Sequence, residues 1–416
     1  MENKKDRAIL VGLELLTSKY SMSDSLDELE HLAKALEIHT VDKVIQRAEK
    51  VSPRFYVGSG KVLEIKKMVE VLGATIVIFD DPLSPTQINN LEKELECQVI
   101  DRSFLILSIF SERAQSKQSI LEVSLAQKEY MLPRLIGLGN SLSRQGGGSY
   151  NAKGPGETKL ELDRRKLLKE ISNIKKELVK ISSENEVSRK KRKQNGIPIV
   201  ALAGYTNVGK SSLMNSLSEK LNSVTEKVFE KDMLFATLDT KTKRMQKDNN
   251  PPFLLVDTVG FIKKLPHELI RSFESTLRDV IDADLLVIVA DGAYFNDYQI
   301  SSTLNVLNSI GASSIPKLYV LTKKEIAITE PLFNEDYIFV SNVTKENIDT
   351  LINTIYSNIY LDSRIANLKL SFNNSNVFSY LKENATILKT DYLEDGYLIK
   401  VVLSKTDQKK YEKYII

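Results

Sequence analysis

The sequence predicts a multidomain α/β protein: an N-terminal α/β domain, a long antiparallel helical hairpin, a P-loop nucleotide domain with a mostly parallel sheet, and a small α+β C-terminal domain. Three observations predict it. A chain of 416 residues, 42% of them hydrophobic, is too long for one ordinary core. Residues 204–211 read GYTNVGKS, a complete G-x-x-x-x-G-K-[ST] phosphate loop between an apolar run and a helix-like stretch. Apolar runs of strand length alternate with amphipathic stretches on either side of a basic, glycine-rich middle section.

Residues 1–111 carry apolar runs at 8–16, 55–57, 75–79 and 99–100, separated by amphipathic stretches at 26–36, 62–72 and 88–95. That rhythm predicts a mostly parallel sheet, because parallel neighbours need a crossover between them. Gly58-Ser59-Gly60-Lys61 stands before the second helix. Small residues suit a helix start, and a minimal anion nest is the alternative.

Residues 112–196 turn helical. Ile120, Leu121, Leu125 and Leu132 share a side of the stretch from 112 to about 138, which Pro133 perturbs. Leu160, Leu167, Ile171, Ile174, Leu178 and Ile181 recur at three and four residue steps from 159 to about 182, so the two stretches should pair as an antiparallel hairpin. Residues 140–196 hold 15 Lys or Arg against 7 Asp or Glu, a local charge of +8 that leaves −5 for the rest of the chain. The connecting loop, 141–159 (SLSRQGGGSYNAKGPGETK), is long and has no apolar anchor, a pattern that is functional or disordered rather than self-packed. Its glycines permit close backbone approach and its cations supply phosphate affinity. Arg144, Gln145, Gly146, Gly147, Gly148, Lys153 and Lys159, with Arg164 and Arg165 just beyond, are the candidate RNA contacts; a flexible linker is the alternative. The run 189–193 (RKKRK) reads as a solvated linker that can also touch nucleic acid.

Residues 197–362 return to alternation, with buried strands expected at 199–203, 253–256, 285–290, 317–321 and 338–340. In the phosphate loop, Gly204, Tyr205, Thr206, Asn207, Val208 and Gly209 let successive N–H groups curl around phosphates. Lys210 offers its ammonium to the β and γ positions, and the Ser211 hydroxyl can ligate Mg2+. Further on, Phe235-Ala236-Thr237-Leu238-Asp239 places Thr237 to bind Mg2+ when a γ-phosphate is present. Asp257-Thr258-Val259-Gly260 follows a buried strand, so Asp257 can hold a Mg2+-bound water while the Gly260 N–H meets the γ-phosphate. Lys210, Thr237 and Gly260 are therefore the expected catalytic groups, Ser211 and Thr237 the direct Mg2+ ligands, and GTP the substrate. A lone DxxG is weak evidence; the ordered set makes 197–362 a P-loop GTPase domain.

Base recognition is less regular. Thr322-Lys323-Lys324-Glu325 stands where a GTPase carries Asn-Lys-x-Asp. Glu325 keeps a carboxylate for the guanine edge donors, displaced by a methylene; Thr322 loses the amide donor, and Lys323 can still lay its stem along the base. Ser341-Asn342-Val343 stands where Ser-Ala-Lys is usual, and the Asn342 N–H can meet the guanine oxygen. Guanine selectivity is expected, in weakened form. Phe261 follows DTVG where many switch GTPases place a water-orienting glutamine, which predicts slow hydrolysis by the free protein. Residues 263–277 read as the mobile second switch, with His267 exposed rather than catalytic. Residues 363–416 form a small domain with strands at 368–372, 385–388 and 397–403, and no chemistry is evident in it.

The N-terminal MENKKDR lacks a signal-peptide core and no apolar run is long enough to span a membrane. A single cysteine, Cys97, excludes an internal disulfide, and His31, His39 and His267 have no ligand spacing. A soluble, cytoplasmic monomer is expected.

The stretches GSGK, VIFDDPLSPTQINNLE, VIDRSFLILSIFSERA, LAQKEYMLPRL, LSRQGGGSYNAKGPGETKLELDRR, GYTNVGKSSLMNSL, LFATLDT and DTVGFIKKLPHELIRSFESTL, in that order, resemble the HflX family of translational GTPases up to about residue 362. The resemblance implies a protein that binds the large ribosomal subunit and its ribosomal RNA. It implies the splitting of stalled or idle ribosomes, with GTP governing attachment and release. The glycine-rich tip would reach toward the peptidyl-transferase centre, matching 144–159 here. The family's associations with ATP binding by the N-terminal domain and with antibiotic resistance do not follow from these residues. The chain departs from the family at TKKE and SNV, and it carries Tyr150 and Asn151 within the tip. The rival reading is a nucleotide-gated RNA-binding or RNA-remodelling NTPase, using ATP or GTP, that leaves ribosomes intact.

Overall fold

The computed structural model describes residues 6–16, 21–143, 155–194, 197–221, 241–247, 250–264, 279–361 and 364–416. They divide into two compact units. The first takes in the chain up to Ile181 together with Lys263 and Lys264, and the second begins at Ser182 and includes the phosphate loop and the C-terminal residues.

In the first unit, β1 (Arg7–Leu15), α1 (Met22–Ala35), β2 (His39–Ala48), α2 (Ser59–Leu72), β3 (Ile76–Phe79), α3 (Pro85–Leu95) and β4 (Gln98–Asp101) build a four-stranded sheet of order β2-β1-β3-β4. Every pairing is parallel. β1 buries six consecutive residues, as a parallel strand covered on both faces must. The run at 55–57 is not a strand but lies at a bridge between Ser52 and Tyr56. The GSGK stretch is a helix start: Gly58 caps α2, its N–H donates to Gln46 Oε1 at 2.9 Å, and Lys61 pairs with Glu64 at 2.7 Å. α3 opens on a reciprocal capping box between Ser84 and Gln87, with Pro85 at its first position.

The hairpin begins later than expected. α4 (Arg102–Arg113) takes Glu112, and α5 runs Lys117–Ser143, continuing through Pro133. The Arg134 guanidinium donates to the Tyr130 carbonyl at 2.6 Å beside that proline. α6 spans Pro155–Gln194, so 155–159 are helical rather than loop, and RKKRK belongs to the last turns of the helix rather than to a linker. Pro155 suits a first helical position, where its fixed φ is already correct and no N–H is required. Lys117–Glu177, Lys128–Glu170 and Lys175–Glu129 pair at 3.9, 2.6 and 2.8 Å, which fixes the helices as antiparallel.

The second unit is built on a six-stranded sheet. Its strands are β5 (Ile199–Gly204), β6 (Lys241–Met245), β7 (Phe253–Asp257), β8 (Leu285–Asp291), β9 (Lys317–Thr322) and β10 (Tyr337–Phe339), in the order β10-β9-β8-β5-β7-β6. Only β6 runs antiparallel. Helices α7 (Lys210–Lys220), α8 (Asp297–Ser309) and α9 (Ile348–Ile359) accompany it. β5 and β8 are buried along their whole length. Beyond them, β11 (Arg364–Ser371), α10 (Ser375–Asn384), β12 (Thr386–Leu393), β13 (Gly396–Leu403) and α11 (Lys405–Lys410) form a three-stranded antiparallel sheet over a core that includes Leu368, Leu381, Ile399 and Val401.

Candidate nucleotide site

β5 ends at Gly204 and α7 begins at Lys210, so the phosphate loop is the strand-to-helix turn between them. Gly209 takes φ 84°, a left-handed conformation that glycine adopts without penalty. Gly204 is required for a different reason: a Cβ there would lie 2.1 Å from the Val289 carbonyl oxygen of the adjacent strand.

Lys210 is buried, and its ammonium donates to the carbonyls of Gly204 at 3.1 Å and Tyr205 at 2.6 Å. Burial pushes it down to about 8 from 10.5, against the opposing charge of Asp257. Parallel pairing of Leu202 with Asp257 carries that carboxylate to the loop. There it accepts from the Ser211 hydroxyl at 2.7 Å, while Thr258 Oγ1 donates to the Leu202 carbonyl at 2.6 Å.

The DTVG segment then lies along the phosphate loop. The Phe261 N–H donates to the Gly204 carbonyl at 3.0 Å, and the Thr206 N–H donates to the Phe261 carbonyl at 2.8 Å. A Cβ on Gly260 would lie 2.8 Å from Thr206 Cα and 3.0 Å from Lys210 Nζ. The Phe261 ring is buried, 2% exposed, and carries no polar group. Thr206 Oγ1 is buried and makes no hydrogen bond among the described residues.

A serine hydroxyl beside a carboxylate is the hard oxygen set that Mg2+ accepts, so Ser211 and Asp257 fit that ion. Thr237, the other expected ligand, lies outside the described residues with Phe235, Ala236, Leu238 and Asp239.

At the base end, Thr322 Oγ1 donates to the Val208 carbonyl at 2.7 Å and contacts that of Ala290 at 3.2 Å. The hydroxyl thus ties the base segment to the phosphate loop, a link that the expected loss of an amide donor did not anticipate. Lys323 has φ 63° and its ammonium pairs with Asp291 at 2.7 Å. Asp291 escaped the sequence reading, although an acid closing the fully apolar run LLVIVA was a signal for it. Lys324 pairs with Glu346 at 2.6 Å, while Glu325 is exposed on a single 3-10 turn. Asn342 Nδ2 reaches the Gly209 carbonyl at 3.4 Å, Ser341 Oγ accepts from the Thr344 N–H at 2.9 Å, and Val343 is exposed.

Residues 204–211 and 257–260 therefore meet around one loop, which Thr322 and Asn342 join from the base segments, while Lys324 turns to Glu346 and Glu325 and Val343 are exposed. The RNA candidates are less fully described. Arg164 and Arg165 are exposed on α6 and share the Glu161 carboxylate at 3.6 and 3.1 Å. Lys159 lies in the helical 155–159 stretch. Arg144, Gln145, Gly146, Gly147, Gly148 and Lys153, like His267, lie outside the described residues.

Comparison with known proteins gives the family. Residues 23–111 match the family region described as GTP-binding GTPase N-terminal, 113–192 its middle region, and 199–323 the 50S ribosome-binding GTPase family. GTPase HflX of Caldanaerobacter subterraneus subsp. tengcongensis is 37% identical over 413 residues, covering 99% of this chain and 94% of the relative. GTPase HflX of Lacrimispora saccharolytica is 38% identical over 405 residues, covering 95% and 93%. Among solved structures, that of SsGBP with GDP is similar, with a TM-score of 0.46 at 26% identity over 85% of this chain and 98% of that one.

Proposed function

The chain belongs to the GTPase HflX family and is a GTPase, and from that premise we propose that it binds the large ribosomal subunit and dissociates stalled or idle ribosomes under control of GTP. The observation that carries the nucleotide half is the meeting of Gly260 and Lys210 on the phosphate loop. A γ-phosphate needs both groups, so its presence or loss is felt along DTVG. Residues 204–211, 235–239, 257–260, 322–325 and 341–343 are the proposed GTP contacts.

Mg2+, which GTPases of this kind generally use, would be held by Ser211 and Thr237, with Asp257 acting through water, and would neutralise phosphate charge. Lys210 exchanges its two loop carbonyls for phosphate oxygens. The Gly260 N–H holds the γ-phosphate, and the loop amides carry the remaining charge. Phe261 supplies no polar group to the attacking water, so turnover by the free protein is slow and the ribosome completes the site.

The ribosomal half rests on the chain's family and on the basic tip between two long antiparallel helices. Its proposed RNA contacts are Arg144–Gly148, Lys153, Lys159, Arg164 and Arg165, and the place of action is the cytoplasm. No helix among the described residues is long and apolar enough to cross a membrane. The division into domains at 1–111, 112–196, 197–362 and 363–416 is part of the same proposal.

Density-gradient profiles test it. Protein with GTP should convert 70S particles into subunits, and Lys210→Ala should not. Intact 70S particles would move the reading to the RNA-remodelling NTPase, which the departure at Thr322-Lys-Lys-Glu325 favours if ATP binds as well as GTP.

A further inference from the structure

The third residue of the phosphate loop, Thr206, is 5% exposed, and its hydroxyl oxygen is buried with no hydrogen-bond partner among the described residues. Burying a hydroxyl unpaired costs stability that a valine of the same shape would not. The other two buried threonines described at the site spend theirs: Thr258 donates to the Leu202 carbonyl at 2.6 Å and Thr322 to that of Val208 at 2.7 Å. The backbone around Thr206 is committed as well. Its N–H donates to the Phe261 carbonyl at 2.8 Å, and the Tyr205 carbonyl before it accepts from Lys210 at 2.6 Å. A threonine held this firmly, with only its hydroxyl unspent, points to a partner that arrives with the nucleotide.

Gly260 fixes where that side chain stands. A Cβ on this glycine would lie 2.8 Å from both Cα and Cγ2 of Thr206, and 3.0 Å from Lys210 Nζ. Thr206 therefore adjoins the two groups proposed to hold the γ-phosphate. The next residue, Phe261, is 2% exposed and apolar. The position that carries a water-orienting glutamine in many switch GTPases thus offers the attacking water no hydrogen bond from its side chain. A hydroxyl can do what is needed there, because it accepts from a water and donates to a phosphate oxygen at once.

We propose that Thr206 is a catalytic residue of GTP hydrolysis, its hydroxyl donating to a γ-phosphate oxygen and accepting from the attacking water, the task that Phe261 cannot perform. The water oxygen bonds to the γ-phosphorus as the bond to the bridging oxygen of the β-phosphate breaks, leaving GDP. The water proton passes to a γ-phosphate oxygen, giving inorganic phosphate. Thr206 orients the water and keeps its own proton throughout, since a hydroxyl is too weak a base to take another. Engaging the substrate costs it no existing bond. This deepens the GTP reading of the site and rests on it.

The test uses the full chain without ribosomes. Single-turnover hydrolysis at saturating GTP, and the dissociation constant for GDP, each with Mg2+, are measured for the wild type, Thr206→Val and Thr206→Ser. Valine keeps the volume and branching and removes the hydroxyl; serine keeps the hydroxyl and removes the methyl that faces Gly260. Thr206→Val should hydrolyse roughly tenfold more slowly, the scale of one hydrogen bond made in the transition state, with GDP affinity within about threefold of wild type. Thr206→Ser should stay within about threefold of wild type in both. A Thr206→Val rate equal to wild type overturns the proposal, and so does a Thr206→Ser rate as low as that of Thr206→Val. A loss of GDP affinity in Thr206→Val that matches its loss of rate also overturns it, since that marks a packing role in the loop. A wild type that binds neither GTP nor GDP overturns the nucleotide reading with it.

Discussion

Raising the pH should weaken GTP binding by acting on Lys210. Its ammonium is buried on two backbone carbonyls and holds its proton only to about 8, against 10.5 for an ordinary lysine. Phosphate oxygens require the charged form. Up to about pH 8 the free protein already carries that proton, so affinity is flat. Above it, binding must draw a proton from solution, and the dissociation constant for GTP should rise toward about tenfold per pH unit.

The same shift acts on stability with a definite sign. Between about 8 and 10.5 the unfolded chain holds a proton that the folded protein has released, so the Lys210 contribution rises with pH. From pH 7.5 to 9.5 the gain is about 2 kcal/mol at about 1.4 kcal/mol per pH unit. Titration of GTP binding at half-unit pH steps, with urea denaturation at the two ends, reads both effects. Lys210→Met keeps the stem without the charge and serves as the baseline for every other titrating group, the nucleotide included. A wild-type GTP affinity that stays flat to pH 9.5, parallel to the variant, refutes the argument.

Two substitutions probe other parts of the site. Gly260→Ala places a methyl 2.8 Å from Thr206 Cα, a backbone atom that cannot turn aside. Single-turnover GTP hydrolysis should fall about a hundredfold, the scale of losing one transition-state donor, with GDP affinity within about threefold; equal losses of both would mean that the loop itself had collapsed. Thr322→Val removes the hydroxyl that holds the Val208 carbonyl at 2.7 Å. Nucleotide affinity should drop about fivefold to tenfold, as for one buried hydrogen bond, while Thr322→Ser stays near wild type. Equal affinities for Val and Thr would show the tie to be idle.

The phosphate loop and DTVG were legible because each is a contiguous peptide whose chemistry lies in its own backbone. The strands β5, β7, β8 and β9 were legible as apolar runs, since a parallel strand covered on both faces can carry little else. β2 was not: HTVDKVIQRA lies at a sheet edge with a single buried residue, Val44, so its polar side chains hide its pairing. The hairpin boundaries were misplaced because glycine and proline were read as loop, whereas Pro155 opens a helix. The Thr322 tie was missed because a threonine was judged by the asparagine it replaces rather than by the hydroxyl it brings. Arg102 and Asp80 were legible only as charged residues among apolar ones; that they pair with each other and with Lys264 is a property of topology.

The partners of Asp80 lie at very different distances along the chain: Arg102 is 22 residues away and Lys264 is 184. A ribosome synthesising this protein at about 5–20 residues per second releases the first partner within seconds and the second roughly 10–40 seconds later. The N-terminal sheet must therefore mature around one guanidinium, with Asp81 held only by the Tyr56 hydroxyl at 2.5 Å until the rest of the chain arrives. A carboxylate pair that waits so long for its lysine stays open to any other basic peptide nearby, including nascent chain of the same protein.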